Sequence, residues 1–156
     1  MTRAAAPQFD LTALHPDMEM DTFHPHRFKL PSNVLRAVGR SKVGTILRWR
    51  VYRVDGHAVR NRINIDFVSG GNPMRYKFVP RGEVWVEKTV EPGEFAPVVV
   101  HELVEAILMF DGQDYDQAHE SASATERLVR ATTTPARSYA QGLKDASAWV
   151  RAWRDG

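Results

Sequence analysis

The stretch that decides the reading is residues 101–126, HELVEAILMFDGQDYDQAHESASATE. His101 and Glu105 stand four apart, so on a helix they lie one above the other and can grip one ion together. Glu102 sits about 100° round the same helix, where a carboxylate can take a proton from water activated by the ion. Asp111-Gly112 stops that helix, and Asp114 is placed to cap the next. Two antiparallel helices joined by so short a turn bring His119 back against His101. Glu126 follows His119 by seven residues, two turns on and on nearly the same face. It is read either as a fourth ligand or as the acceptor that orients a ligand imidazole. Glu120 points elsewhere.

Charge favours a cation here. The stretch holds seven acids (Glu102, Glu105, Asp111, Asp114, Asp116, Glu120, Glu126) and no Lys or Arg. A solvated acidic face would have the same composition. These groups, however, lie beside Val98-Val99-Val100 and Ile107-Leu108-Met109, where an ionisable side chain is costly to bury without a partner ion. The chain has no cysteine, which excludes disulfides and thiolate sites and leaves nitrogen and oxygen as donors. The candidate ligands are therefore His101, Glu105 and His119, with zinc the expected divalent metal. A carboxylate at position 105 hardens the site and leaves manganese or iron as alternatives.

Working outward, 156 residues is the size of one domain, and 43% apolar with 26% charged residues allows a real core. No apolar run approaches the ~18 residues a membrane span needs, and the first residues lack a signal-type apolar core. A cytoplasmic location is expected. Residues 1–31, rich in Pro, His and Met, read as an extended arm, with His24-Pro25-His26 as surface decoration. Residues 32–156 read as a single α+β domain.

Within it, the segment after Pro31 predicts a short capped helix ending near Gly39. Thr45–Val54 alternates and reads as a strand, Asp55-Gly56 as a hairpin turn, and Val59–Val68 as a second strand with Ile63, Ile65 and Phe67 on one face. Residues 69–73 (SGGNP) read as a turn, Met74–Val79 as a third strand and Glu83–Glu87 as a fourth. The expected product is an antiparallel meander of about four strands with one polar, Arg-rich face. The metal-bearing helix follows, with Pro97 in its first turn. Then comes the helix carrying His119, and last a C-terminal helix with Tyr139, Leu143, Ala146, Val150 and Trp153 as its apolar stripe.

The motif residues also match a known pattern. His101-Glu102-Leu103-Val104-Glu105 followed by Tyr115-Asp116-Gln117-Ala118-His119-Glu120-Ser121-Ala122 resembles the HExxE…YxxAHxxA pattern of small, largely uncharacterised zincin-like proteins of bacteria and phages. The preceding block, with Asp66-Phe67, Gly70-Gly71-Asn72, Tyr76, Pro80 and Glu83-Val84-Trp85-Val86, looks like their strand region. The resemblance spans residues ~60–130 and implies a metallopeptidase-type core, a small sheet packed on the metal-bearing helix. It implies His101, Glu105 and His119 as ligands and Glu102 as general base. HExxE departs from the HExxH of zinc proteases, which separates the case for a metal from the case for proteolysis.

The expected function is metal-dependent hydrolysis of a peptide or amide bond, with a metal-bound water activated by Glu102. The alternative is a non-catalytic, metal-stabilised binding module contacting nucleic acid or a phage or host protein. Its basis is the basic 36–62 region (Arg36, Arg40, Lys42, Arg48, Arg50, Arg53, Arg60, Arg62) with Trp49 and Tyr52 interleaved. On a strand, the same residues make a solvated Arg-rich face. A third reading is a degenerate zincin that binds no metal and uses Trp85, Trp149 and Trp153 as an interaction surface. Tyr76 and Tyr115 are candidate phenols for an oxyanion, both better read as packing residues. Glu83 is an outside candidate for the site, and His57 reads as exposed.

Overall fold

All five residues of Glu83–Glu87 are buried, and that fixes this segment as the middle of the structure. A strand covered on both faces loses the apolar-polar alternation of an exposed sheet. Here Val84 and Val86 enter one core while Trp85 enters another. The computed structural model describes residues 30–156. The expected arm, including His24-Pro25-His26, lies outside the described residues apart from Leu30 and Pro31.

The chain runs α1 (Ser32–Val38), β1 (Ser41–Ile46), β2 (Trp49–Val54), α2 (Gly56–Arg62), β3 (Gly70–Gly71), β4 (Glu83–Glu87), α3 (Pro92–Phe110), α4 (Tyr115–Thr132) and α5 (Tyr139–Asp155). The sheet order is β1-β2-β4-β3. β1 pairs antiparallel with β2, and β3 antiparallel with β4, but β2 and β4 run parallel, with Val51 opposite Val84 and Val54 opposite Glu87. The fold is α+β as expected, with a mixed sheet in place of the antiparallel meander.

Four local readings give way. Thr45–Val54 is two strands rather than one. The chain reverses at Leu47-Arg48, where Leu47 takes φ 55°, a left-handed conformation that a branched side chain adopts at a cost of about 1 kcal/mol. No Gly, Pro or Asn announces that turn. Asp55-Gly56 is a helix start rather than a hairpin. The Asp55 side chain accepts the Ala58 N–H at 3.2 Å, and a Cβ on Gly56 would collide with the Glu87 carboxylate. Val59–Val68 is accordingly helical at first, and its buried apolar residues are Val59, Ile63 and Phe67, four apart, while Ile65 is 70% exposed. Met74–Val79 forms no strand; its Met74, Tyr76, Phe78 and Val79 are buried from turns.

The larger core lies between one face of the sheet and the three long helices. Ile46, Val51, Val84 and Val86 meet Phe95, Val99, Val100, Leu103 and Val104 of α3, Ala122 and Val129 of α4, and Ala146 and Val150 of α5. The expected α5 stripe is there, with Tyr139, Leu143, Trp149 and Trp153 at its margin. A second core on the opposite face joins α1 and α2 to Phe67, Tyr76, Phe78 and Trp85. Helix α3 starts earlier than expected, at Pro92, which puts Pro97 inside it. The missing Pro97 N–H leaves the Gly93 carbonyl without its helical partner.

Burial pushes the Asp55 carboxyl up, but the Ala58 N–H and the Lys88 ammonium 3.5 Å away outweigh it and hold the group below the usual aspartate range. Asp55→Ala is expected to lower stability by about 1 kcal/mol, the usual worth of an N-cap, as read by urea unfolding at neutral pH. A depressed folded-state pKa stabilises above about pH 4 and is lost on acidification through the folded value. The gap between wild type and variant is therefore expected to close in acid.

A candidate metal centre between two helices

Helix α3 buries nearly its whole circumference, including His101, Glu102 and Glu105 at 8%, 7% and 2% exposure. Apolar neighbours hold the helix in place, so the charged groups must find partners inside. Helix α4 supplies them. Its first turn is capped by Asp114, whose side chain accepts the Gln117 N–H at 2.8 Å. Ala118 and Ala122 are both fully buried against α3. Residues this small let two helices approach closely, which carries His119 to Glu105.

The three expected ligand residues converge. Glu105 Oε2 lies 3.2 Å from His101 Nε2 and 2.8 Å from His119 Nδ1. One donor atom from each of His101, Glu105 and His119 falls within 4.8 Å of the others, a spacing that could hold a metal ion. Two imidazoles and a carboxylate form a donor set that suits zinc. The imidazole rings stand at 73° with centroids 4.9 Å apart. His119 is half-exposed, so the cluster has one open flank.

Glu126 lies on the outer side of His101. Its Oε1 lies 2.8 Å from His101 Nδ1, the nitrogen turned away from Glu105. That is an ion-pair distance, although Nδ1 lacks the alignment of a hydrogen bond. Arg130 holds the other oxygen of Glu126 at 3.0 Å and binds Glu94 through Nε and Nη2 at 3.0 and 2.9 Å. A carboxylate on the outer nitrogen fixes the ring and raises its basicity toward an ion.

Asn72 is the residue that sequence reasoning missed. Fully buried, it donates from Nδ2 to Glu102 Oε1 at 3.0 Å and to Glu105 Oε1 at 3.1 Å. Its Oδ1 accepts the Met74 and Arg75 N–H groups at 3.0 and 3.1 Å. One amide thus spends both protons on two carboxylates and keeps their inner oxygens apart from the imidazoles. The available signal was its place in the block of likeness, two residues after Gly70, but the turn-forming neighbours concealed it. Gly70 and Gly71 form β3, and a Cβ on Gly70 would press at 3.1 Å on Glu102 Cγ.

The electrostatics follow from burial. Desolvation, helped by the Glu105 charge, pushes the Glu102 carboxyl up to about 8. Desolvation also raises Glu105, but hydrogen bonds with His101 and His119 outweigh it and bring the group below its usual range. Burial disfavours a charged His101, yet Glu105, Glu126 and Glu102 overcome that and lift it to about 10. Three carboxylates crowd two imidazoles, and their mutual charges, with burial, set the shifts of His101, Glu102 and Glu105.

The other residues singled out in the sequence separate. Tyr115 reaches the edge of the cluster, its hydroxyl 3.3 Å from His119 Nδ1 and its ring stacked on the imidazole. Tyr76 lies in the second core with its hydroxyl on the Asp66 carbonyl. Glu83 stays out of the site, bound by Arg40 and the Trp85 indole N–H. Glu120 and His57 are exposed. Of the basic residues between 36 and 62, several are engaged inward. Arg40 lies over the Tyr52 ring, Arg53 over the Tyr139 ring, Arg50 donates to the Arg81 carbonyl and Arg60 to the Phe67 carbonyl. A uniform solvated Arg face does not form. No helix among the described residues is long and apolar enough to cross a membrane.

Asn72→Ala is expected to weaken the uptake of an added divalent ion by the cluster about ten- to a hundredfold, the usual cost of removing a group that orients a ligand. Competition with a chromophoric chelator measures this, and unchanged affinity would remove Asn72 from the site. Comparison of the chain with protein-family models, with curated proteins and with solved structures finds no match, so the reading of this cluster stands on its geometry.

Proposed function

We infer that the protein is a zinc-dependent hydrolase of peptide or amide bonds with a zincin-like core. The observation that carries this reading is the division of labour among four acidic and basic groups on two helices. His101, Glu105 and His119 converge, while Glu126 is turned to the far nitrogen of His101. Three protein ligands leave a coordination position open, as catalytic sites do, whereas four would close it.

His101, Glu105 and His119 would hold a divalent ion, which would supply Lewis acidity to polarise a carbonyl and acidify water near neutral pH. Everything else falls to the chain. Glu102 lines a cleft of about 530 Å³ together with His101, Ser69, Gly70 and Val98. Asn72 occupies its Oε1, so Oε2 of the ionised carboxylate, a form that a neighbouring cation would favour, would take the proton from water as the oxygen adds to the carbonyl carbon. The same proton then passes to the departing nitrogen as the carbon–nitrogen bond breaks. β3 is the last strand of the sheet on this side, and Gly70 belongs to the cleft wall. An edge strand offers backbone groups to an extended chain, which favours a peptide over a small amide.

Protein purified without chelators is expected to contain one zinc per chain by elemental analysis, and His101→Ala, Glu105→Ala and His119→Ala to contain none. Stoichiometric metal in none of the preparations would end the reading. Glu102→Gln is expected to keep its metal and to lose hydrolysis of a mixed peptide library by at least about a hundredfold, the scale of general-base catalysis. Loss of metal in that variant would make Glu102 a ligand instead.

A further inference from the structure

Where α3 ends, Ile107 and Phe110 line a groove of about 420 Å³ together with Trp49 and Met74. Phe110 is 71% exposed, so a large apolar side chain stands uncovered at this helix end. Arg48 and Arg81 line the same groove, and both are exposed. Arg40, Arg53 and Arg60 are engaged inward. The guanidinium groups of Arg48 and Arg81, by contrast, have no hydrogen-bond or ion-pair partner among the described residues. The groove thus offers apolar surface with two free cations beside it, and none of its described lining residues is acidic.

We propose that a segment of this same chain, Asp17-Met18-Glu19-Met20-Asp21, seats in the groove, with its methionines on the apolar surface and its acids toward Arg48 and Arg81. Charge is complementary. Residues 9–21 hold four acids (Asp10, Asp17, Glu19, Asp21) and no Lys or Arg, opposite in sign to the groove. The order of residues fits as well, because acid and methionine alternate. An extended chain of that order presents Met18 and Met20 on one face and the acids on the other. Methionine is unbranched and adapts to an irregular apolar surface. Position agrees with both. The described chain begins at Leu30, which packs against the core holding Tyr76, and Met74 of the groove is two residues from Tyr76. Residues 22–29 join Asp21 to Leu30 and span up to ~30 Å, against a radius of gyration of ~14 Å for a domain of this size. A tether of that length sets a local concentration on the order of 1 mM, so a dissociation constant of about 1 mM seats the segment in about half the molecules.

The test uses the full chain. It has no cysteine, so Thr22→Cys carries a single nitroxide beside the segment and leaves its acids and methionines intact. In isotope-labelled protein, the amide signals of Trp49, Met74, Ile107 and Phe110 are expected to lose about half their intensity or more, relative to the reduced label, at that occupancy. Arg48→Glu with Arg81→Glu is expected to restore the signals, as is Met18→Ser with Met20→Ser. Adding Asp17→Lys, Glu19→Lys and Asp21→Lys to the arginine variant is expected to bring the broadening back, since the charges then match again in reverse. Groove amides that are not broadened, broadening unchanged in the arginine variant, or reversed charges that fail to bring it back overturns the proposal. So does equal broadening in isotope-labelled protein mixed with a spin-labelled, unlabelled copy, which would put a second molecule in the groove.

Discussion

Everything at the candidate centre depends on one side-chain amide. Glu102 and Glu105 project from the same buried helix, and two carboxylates in that position repel each other and lose their water. Asn72 answers both at once, with one N–H on each, and its carbonyl oxygen is anchored by the Met74 and Arg75 backbone. The anchoring fixes which end of the amide faces the acids. It also sorts the oxygens: Oε1 of each acid turns to Asn72, and Glu105 Oε2 turns to the two imidazoles. An aspartate at position 72 would invert the interaction, and an apolar residue would leave two buried acids unanswered.

The site was more legible in the sequence than the sheet, for a physical reason. Helical spacing is local: His101 and Glu105 are neighbours by geometry as soon as α3 forms, and Asp114 marks the start of α4 through its own side chain. The return of His119 needed only a short turn. The sheet depends on distant pairing, and its local signals misled. Asp55-Gly56 serves equally as a hairpin turn and as a helix cap, and the close approach of Glu87 to Gly56, thirty-one positions away in the chain, decides which. Val59, Ile63 and Phe67 satisfy a helical spacing as well as an alternating one. Leu47 turns the chain with no residue that advertises a turn. Asn72 could not be assigned from the chain because its partners lie 30 and 33 residues on.

The basic residues show the same dependence on distant partners. Read along the chain, they form a stripe fit for an acidic ligand. In the fold, Arg40 and Arg60 neutralise the buried Glu83 and Glu87, and Arg53 lies on the Tyr139 ring of α5. Much of the positive charge between residues 36 and 62 therefore works inside the structure, tying α2 and the strands to the helices. Near α3 and α4, Arg130 holds Glu94 and Glu126 together beside the cleft.

The alternation of β4 has a consequence for how the centre can assemble. Val84 and Val86 face one core, while Glu83, Trp85 and Glu87 face the other side with their arginine and indole partners. Sliding β4 by a single residue would turn charged carboxylates into the apolar core and strand Trp85 among the wrong neighbours. The same slip would carry the Gly70–Gly71 pairing about 3.3 Å along the strand, and Asn72 with it, beyond reach of Glu102 and Glu105. Mispairing is thus penalised twice, once in the core and once in the cluster. A chain that has brought Asn72 to its two acids has already passed the check on its own strand register.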